Sequence, residues 1–88
     1  MFWKKYKSTG SGDKMRLTEL KSGQTAIVKE IDGGYEAVER LATLGIRPGK
    51  TITKISSHFW KGPIAIRMDK AKVAIGHGMA EKIIVELS

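Results

Sequence analysis

The sequence predicts a mainly β protein: a small barrel of five short strands, with one short helix inserted after the first strand. From Thr25 onward, most of the chain consists of short runs rich in β-branched residues, and glycine or proline turns separate these runs. A single segment, Tyr35 to Leu44, instead has apolar residues at three- and four-residue spacing. Five short strands favour a closed or partly closed barrel, because closure removes exposed strand edges.

Residues 1–14 are predicted to be a flexible tail that precedes a single domain over residues 15–88. Aromatic rings and lysines are mixed over the first seven residues, and the small polar stretch from Ser8 to Gly12 offers no side chains for packing. Two interpretations of the tail stay open. It is either a solvated segment or a peripheral contact with a membrane, since aromatic rings and lysines suit lipid headgroups.

The first elements of the domain are expected to be a helical turn and a strand. Thr18 is expected to cap a single helical turn within Arg16 to Leu20. The following strand is expected over Thr25 to Ile31, with Ile27 and Ile31 on one face. Two glycines after this strand indicate a turn.

The helix predicted after that turn is short and amphipathic. Its apolar stripe is expected to consist of Val38, Leu41, Ala42 and Leu44. Gly45 is suited to the left-handed position just past a helix end, and the turn Arg47-Pro48-Gly49 prevents the helix from continuing.

From that turn to its end, the chain is expected to form strands. A two-residue hairpin is predicted at Asp69-Lys70. The alternation of Ile64, Ile66 and Met68 predicts that these three side chains share one face. The four remaining strands are expected within Thr51–Ser56, Pro63–Met68, Lys72–Ile75 and Ile83–Leu87.

The formal net charge of +7 suggests nucleic acid or an acidic membrane surface as a partner. The charge is unevenly distributed. Residues 1–14 carry four lysines against one aspartate, or +3, and the other residues carry twelve basic against eight acidic side chains, or +4. Because the domain itself is only mildly basic, nucleic-acid binding is the weaker interpretation.

The chemistry-bearing residues predict neither an enzyme nor a cofactor site. The chain has no cysteine, and neither His58 nor His77 has the local spacing of a metal site. No nucleophile and base stand together at short range. Ferrous-iron binding stays open, although the ligand spacing does not support it. The chain is predicted to be cytoplasmic, because it has neither an apolar run of about 20 residues nor a signal peptide.

The aromatic pair Phe59 and Trp60, between His58 and Lys61, marks a predicted hairpin tip. Exposed aromatic side chains concentrate binding energy at protein interfaces, so this tip is a candidate binding site. The alternative is that one ring folds back over the end of the barrel, and both interpretations stay open.

The order and spacing of several short segments resemble the FeoA family, ferrous iron transport protein A. The resemblance covers residues 15–88. The segments that carry it are Leu17-Thr-Glu-Leu20, Gly23, Ala26-Ile-Val28, Arg40-Leu41, Leu44-Gly45-Ile46, Pro48-Gly49, Gly62-Pro63-Ile64, Ala74-Ile-Gly76, Gly78-Met79-Ala80 and Ile83-Ile-Val85.

This resemblance implies an SH3-like barrel and a cytosolic accessory or regulatory role in FeoB-type ferrous iron transport. The expected partner is the FeoB-type membrane transporter, in particular its cytoplasmic part, which is bound through protein contacts without any small-molecule substrate. Two alternatives stay open: a small basic barrel that binds nucleic acid, and a metal-sensing or iron-handling domain. The predicted partner-binding residues are Arg40, Leu41, Leu44, His58, Phe59, Trp60 and Lys61, with Arg40 ranked first as a contact to an acidic partner surface or a helix-end carbonyl.

Overall fold

The structure, a computed structural model, describes residues 14–57 and 62–87, apart from the side chains of Ser56 and Ser57. Six strands, a 3-10 helix and two α-helices make up this part of the chain. In order they are β1 (Lys14–Arg16), the 3-10 helix (Leu17–Glu19), β2 (Thr25–Ile31), α1 (Tyr35–Thr43), β3 (Thr51–Ser57), β4 (Ile64–Met68), β5 (Ala71–Ile75), α2 (His77–Ala80) and β6 (Ile83–Leu87).

All six strands form one antiparallel sheet in the order β1-β6-β2-β3-β4-β5. The predicted mainly β fold is confirmed, and α1 follows β2, which is the strand that the sequence predicts as the first. The expected number of five strands is wrong. The additional strand is β1, in which Met15 pairs with Val85. A strand of three residues is too short to produce a visible alternation, so only its pairing with β6 reveals it. Because β1 includes Lys14, the paired chain begins one residue before the predicted domain boundary, which itself stays a prediction.

The curved sheet encloses one apolar core. The expected shared face of Ile64, Ile66 and Met68 is confirmed, since these side chains are at most 4% exposed. The hairpin at Asp69-Lys70 is confirmed as well, because Met68 pairs directly with Ala71. The fully buried side chains of the largest volume are Leu17, Leu41, Ile46, Ile52, Ile66, Ile83, Val28 and Val85.

The core-facing side of β2 differs from the prediction. Ala26 and Val28 are fully buried, whereas Ile27 lies on the outer side of the sheet. The register of β2 against β6 shifts between Val28 and Glu30, and this irregularity brings Ile31 opposite the buried Ile83. A bulge of this kind reverses the alternation of the side chains, which explains why Ile27 and Ile31 do not share a face.

The helical turn near the start of the domain also differs from the prediction. Thr18 lies inside the 3-10 helix rather than at its cap, and the helix begins after Arg16. The Arg16 backbone N–H donates to Oε1 of Glu19 at 2.8 Å. A carboxylate three residues into the turn therefore replaces the hydroxyl cap that the sequence suggested.

Lys54 of β3 is a buried cation, only 4% exposed. Its Nζ donates to the carbonyl oxygens of Leu20, at 2.6 Å, and of Thr18, at 3.3 Å. Burial lowers the pKa of the Lys54 ammonium group, because desolvation disfavours its charged form. The side chain thus ties β3 to the C-terminal end of the 3-10 helix.

Candidate partner-binding surface

The chain makes a close turn before α1. A Cβ atom at Gly33 would lie 2.9 Å from Cβ of Ala37 and 3.2 Å from Cδ of Lys82. Just before this glycine, the Asp32 backbone N–H donates a hydrogen bond to the Lys82 carbonyl oxygen, at 2.5 Å. Because glycine at position 33 has no side chain, the turn can pass close to both the start of α1 and the segment that follows α2.

The end of α1 is fixed by a Schellman motif. The N–H of Ile46 donates to the Leu41 carbonyl, and the N–H of Gly45 donates to the Ala42 carbonyl, both at 2.9 Å. Gly45 has a φ of +90°, which confirms its predicted role at the helix end. Leu41 and Ile46, the two residues joined by the first bond, are both fully buried. This motif anchors the helix end to the core.

The orientation of α1 corrects the predicted apolar stripe. Ala37 and Leu41, one helical turn apart, face the core. Val38 and Leu44 are 39% and 41% exposed, and Tyr35 is 78% exposed. The helix is only 9 residues long, and its inward contact is limited to a narrow stripe. Three large apolar side chains consequently remain on its outer side.

The outer side of α1 lines an open groove of about 450 Å³. We call the described residues that line it the α1 surface: Tyr35, Glu36, Glu39, Arg40, Thr43 and Leu44. A smaller groove of about 250 Å³ lies between α1 and α2, where Met79 and Lys82 contribute to the lining. Glu36 and Arg40 line both grooves, so these two side chains stand on the ridge that separates them.

Hydrogen bonds order one half of the α1 surface. The Tyr35 hydroxyl donates to Oε2 of Glu39 at 2.9 Å, and the Thr43 hydroxyl donates to the Glu39 carbonyl at 3.0 Å. Arg40 is exposed and makes no ion pair with any residue that the structure describes. Tyrosine and arginine are enriched at protein interfaces. A tyrosine held in place beside an exposed arginine and an exposed leucine is therefore suited to binding a protein.

The structure separates the predicted partner-binding residues into three groups. Arg40 and Leu44 lie together on the α1 surface. Leu41 is fully buried, so its predicted role as a contact residue is wrong; it supports the helix from beneath. His58, Phe59, Trp60 and Lys61 lie outside the described residues, as do residues 1–13 of the predicted tail, and the hypotheses about them stay predictions.

Sequence reasoning missed Tyr35, Glu39 and Thr43, although a signal for them exists. These residues follow one another at four-residue steps, which places them along one side of a helix. The signal does not stand out in the sequence, because helix periodicity is read from apolar positions and Glu39 and Thr43 are polar.

Neither a metal cluster nor a membrane-spanning helix is found in the described part of the chain. No three His, Cys, Asp or Glu side chains of residues 14–57 and 62–87 converge on a possible metal position. His77 Nε2 lies 3.6 Å from Oε2 of Glu81. No helix in the same ranges is sufficiently long and apolar to cross a bilayer.

Comparison with known proteins identifies the family. The family model of the FeoA domain matches residues 15–87. This chain belongs to the FeoA family. The predicted resemblance is thereby confirmed, and it extends over nearly all of the residues that the structure describes.

Two curated relatives are similar to this FeoA-family chain over most of its length. A putative Fe(2+) transport protein A of Methanocaldococcus jannaschii is 41% identical over 70 residues, which cover 80% of this chain and 83% of the relative. An Fe(2+) transport protein A/Fe(2+) transporter FeoB fusion protein of Porphyromonas gingivalis is 33% identical over 73 residues, which cover 83% of this chain but 9% of the fusion protein.

The fold is shared with a crystal structure of an iron uptake regulatory protein, FeoA. The two structures superpose with a TM-score of 0.79 at 36% sequence identity, and the match covers 84% of this chain and 97% of the other. The predicted SH3-like fold is confirmed by this likeness together with the six-stranded sheet.

Proposed function

We propose that this protein is a cytosolic accessory or regulatory protein of FeoB-type ferrous iron transport, and that it acts by binding the cytoplasmic part of the transporter. The observation that carries the proposal is the fusion relative, in which an Fe(2+) transport protein A and a transporter FeoB form one polypeptide. Fusion keeps two modules at a high effective concentration. A separate chain needs a binding surface to achieve the same association.

The α1 surface is the surface proposed for this contact. Its exposed apolar side chains, Tyr35 and Leu44, supply contact area, while Arg40 has no internal ion pair among the described residues. An arginine of this kind is available for a bidentate bond to a partner carboxylate. The groove beside the helix would receive an apolar side chain of the partner.

Binding affinity in solution tests this proposal. Calorimetry would titrate the full chain into the soluble cytoplasmic part of a FeoB-type transporter, and Arg40→Ala and Leu44→Ala would each be compared with the unaltered protein. We expect each variant to weaken binding about 5- to 30-fold, the range of an interface residue whose truncation costs roughly 1–2 kcal/mol. Trp60→Ala tests the predicted hairpin site in the same assay.

Arg47→Ala is the matched control. Arg47 is an exposed arginine of the turn that follows α1, and it does not line the groove. We expect this variant to bind like the unaltered chain. Equal losses for Arg40→Ala and Arg47→Ala would indicate non-specific attraction of positive charge and would overturn the assignment of the surface. Absence of binding for the unaltered chain would overturn the proposed function itself.

A further inference from the structure

Four adjacent strands carry a continuous row of polar side chains on the outer side of the sheet. The pairing register places Thr25 opposite Thr53, Thr53 opposite Arg67, and Arg67 opposite Lys72. The hydroxyl oxygens of the two threonines lie 2.9 Å apart. The row therefore runs across β2, β3, β4 and β5 and ends in two cations.

Arg67 and Lys72 lie directly opposite each other, and the repulsion between their charges is unfavourable for the folded protein. Like charges directly opposite each other on neighbouring strands are destabilising. Both side chains are exposed, and neither forms an ion pair with a residue in the described ranges. Two cations nearby are compensated, since Lys29 of β2 lies 3.5 Å from Glu86 and Lys50, just before β3, lies 2.6 Å from Asp69. An external anion would relieve the repulsion that remains.

Toward the sheet end, the outward neighbours of the two cations are small side chains. Ala65 lies opposite Ala74 in the next outward-facing row toward the sheet end. Because alanine side chains extend little above a sheet, the guanidinium and ammonium groups project beyond their neighbours. An extended surface of negative charge could therefore approach both cations at once.

We propose that this cationic row, defined as Thr53, Arg67 and Lys72, docks on a membrane surface that contains anionic phospholipid headgroups. Headgroups need only positive charge on an accessible face, and each lysine or arginine near such a surface strengthens the attraction. A protein partner would need an apolar or aromatic anchor close to the two cations, and their outward neighbours toward the sheet end are Ala65 and Ala74. The outward Ile27 lies on β2, two strands away from Arg67. Single-stranded nucleic acid would need aromatic rings for stacking, and the row has none.

The sequence of residues 1–13 has matching chemistry. Three aromatic residues, Phe2, Trp3 and Tyr6, stand among three lysines. Aromatic rings at headgroup depth combined with lysines are typical of segments that lie on a membrane surface. The cationic row and the sequence of residues 1–13 thus both have a composition that favours an anionic membrane surface. The cationic row shares no residue with the α1 surface.

Vesicle sedimentation tests the proposal with the full chain. The vesicles would contain phosphatidylcholine alone or with about a third phosphatidylserine, at ionic strengths of about 0.05 M and 0.3 M. We expect binding only to the anionic vesicles, with a marked loss at the higher salt concentration. The double variant Arg67→Gln/Lys72→Gln should bind anionic vesicles about 25-fold more weakly, since each charge is worth roughly fivefold.

The double variant Lys21→Gln/Arg47→Gln is the matched control, because it removes the same charge from exposed positions outside the row. It should retain most of the vesicle binding. Equal losses for the two double variants would overturn the proposal, as would equal binding to neutral and anionic vesicles. Binding of the chain to a single-stranded oligonucleotide, without binding to anionic vesicles, would assign the row to nucleic acid instead. Thermal unfolding should give the row variant a melting temperature no lower than that of the unaltered chain, which excludes misfolding as the cause of lost binding.

Discussion

The α1 surface and the cationic row are both exposed, but their chemistry differs. The α1 surface combines Tyr35 and Leu44 with charges of both signs and a groove. The cationic row presents Arg67 and Lys72 above small side chains. Apolar anchors beside a groove are typical of protein recognition, whereas unshielded charge on a flat face is typical of electrostatic attraction to an extended anion. The two proposed contacts, one with a transporter and one with a membrane, therefore use separate surfaces of the domain.

Two leucines of α1 provide the strongest test of which side of the helix is outward. Leu41→Ala should lower the free energy of unfolding by about 2–5 kcal/mol, because it leaves a cavity beneath a fully buried side chain. Leu44→Ala should change it by less than about 1 kcal/mol, since Leu44 is 41% exposed. Urea unfolding of the two variants measures both values. Similar losses of stability would contradict the described orientation of α1 and remove the basis for the α1 surface.

The cations on the inner and outer sides of β3 and β4 differ in burial and in their hydrogen-bond and ion-pair partners. Lys54 is buried and donates to two backbone carbonyls, whereas Arg67 has no ion pair in the described part of the chain. The pKa of Lys54 is lowered by burial from 10.5. Between the folded-state pKa and 10.5 the unfolded chain binds more protons than the folded chain, so the Lys54 contribution to stability rises with pH in that window.

Comparison with Lys54→Met isolates this effect from the other titrating groups. The unaltered chain should gain stability relative to the variant as the pH rises toward 10.5, because the penalty for burying the charge disappears. Urea unfolding at a series of pH values gives the difference. A difference that stays constant across this range would show that Lys54 is not desolvated in the folded protein.

The smallest expected effect concerns the outer row itself. Arg67→Glu replaces a pair of like charges with an opposite-charge pair to Lys72, which should stabilise the protein by about 0.2–1 kcal/mol. The same substitution should weaken binding to anionic vesicles. Thermal unfolding at low salt would detect the gain, and Arg47→Glu serves as a control at an exposed site outside the row. A loss of stability would mean that the two cations do not repel each other and that the row needs no external anion.

The elements that local sequence determines were predictable. Gly45 and the turn after it marked the helix end, and the alternation of Ile64, Ile66 and Met68 marked the buried face of β4. The errors arose where tertiary pairing decides the outcome. The irregular register of β2 against β6 reverses a face that alternation alone assigns wrongly, and β1 exists only because β6 pairs with it.

The candidate surfaces were less predictable for the same reason. Periodicity finds apolar positions on a helix but does not say which of them the rest of the fold covers, so Leu41 and Leu44 looked equivalent in the sequence. Arg67 and Lys72 are five positions apart along the chain, and only the hairpin between them brings them face to face. Neither the exposure of Leu44 nor the pairing of these cations is encoded in a short sequence window.

The most direct test of the central claim is a calorimetric titration with the soluble cytoplasmic part of a FeoB-type transporter in the absence of lipid. Under these conditions Arg40→Ala should weaken the binding of the full chain, while Arg67→Gln/Lys72→Gln should leave the affinity unchanged. Equal losses for the two variants, or a loss only for the second, would contradict the assignment of the protein contact to the α1 surface.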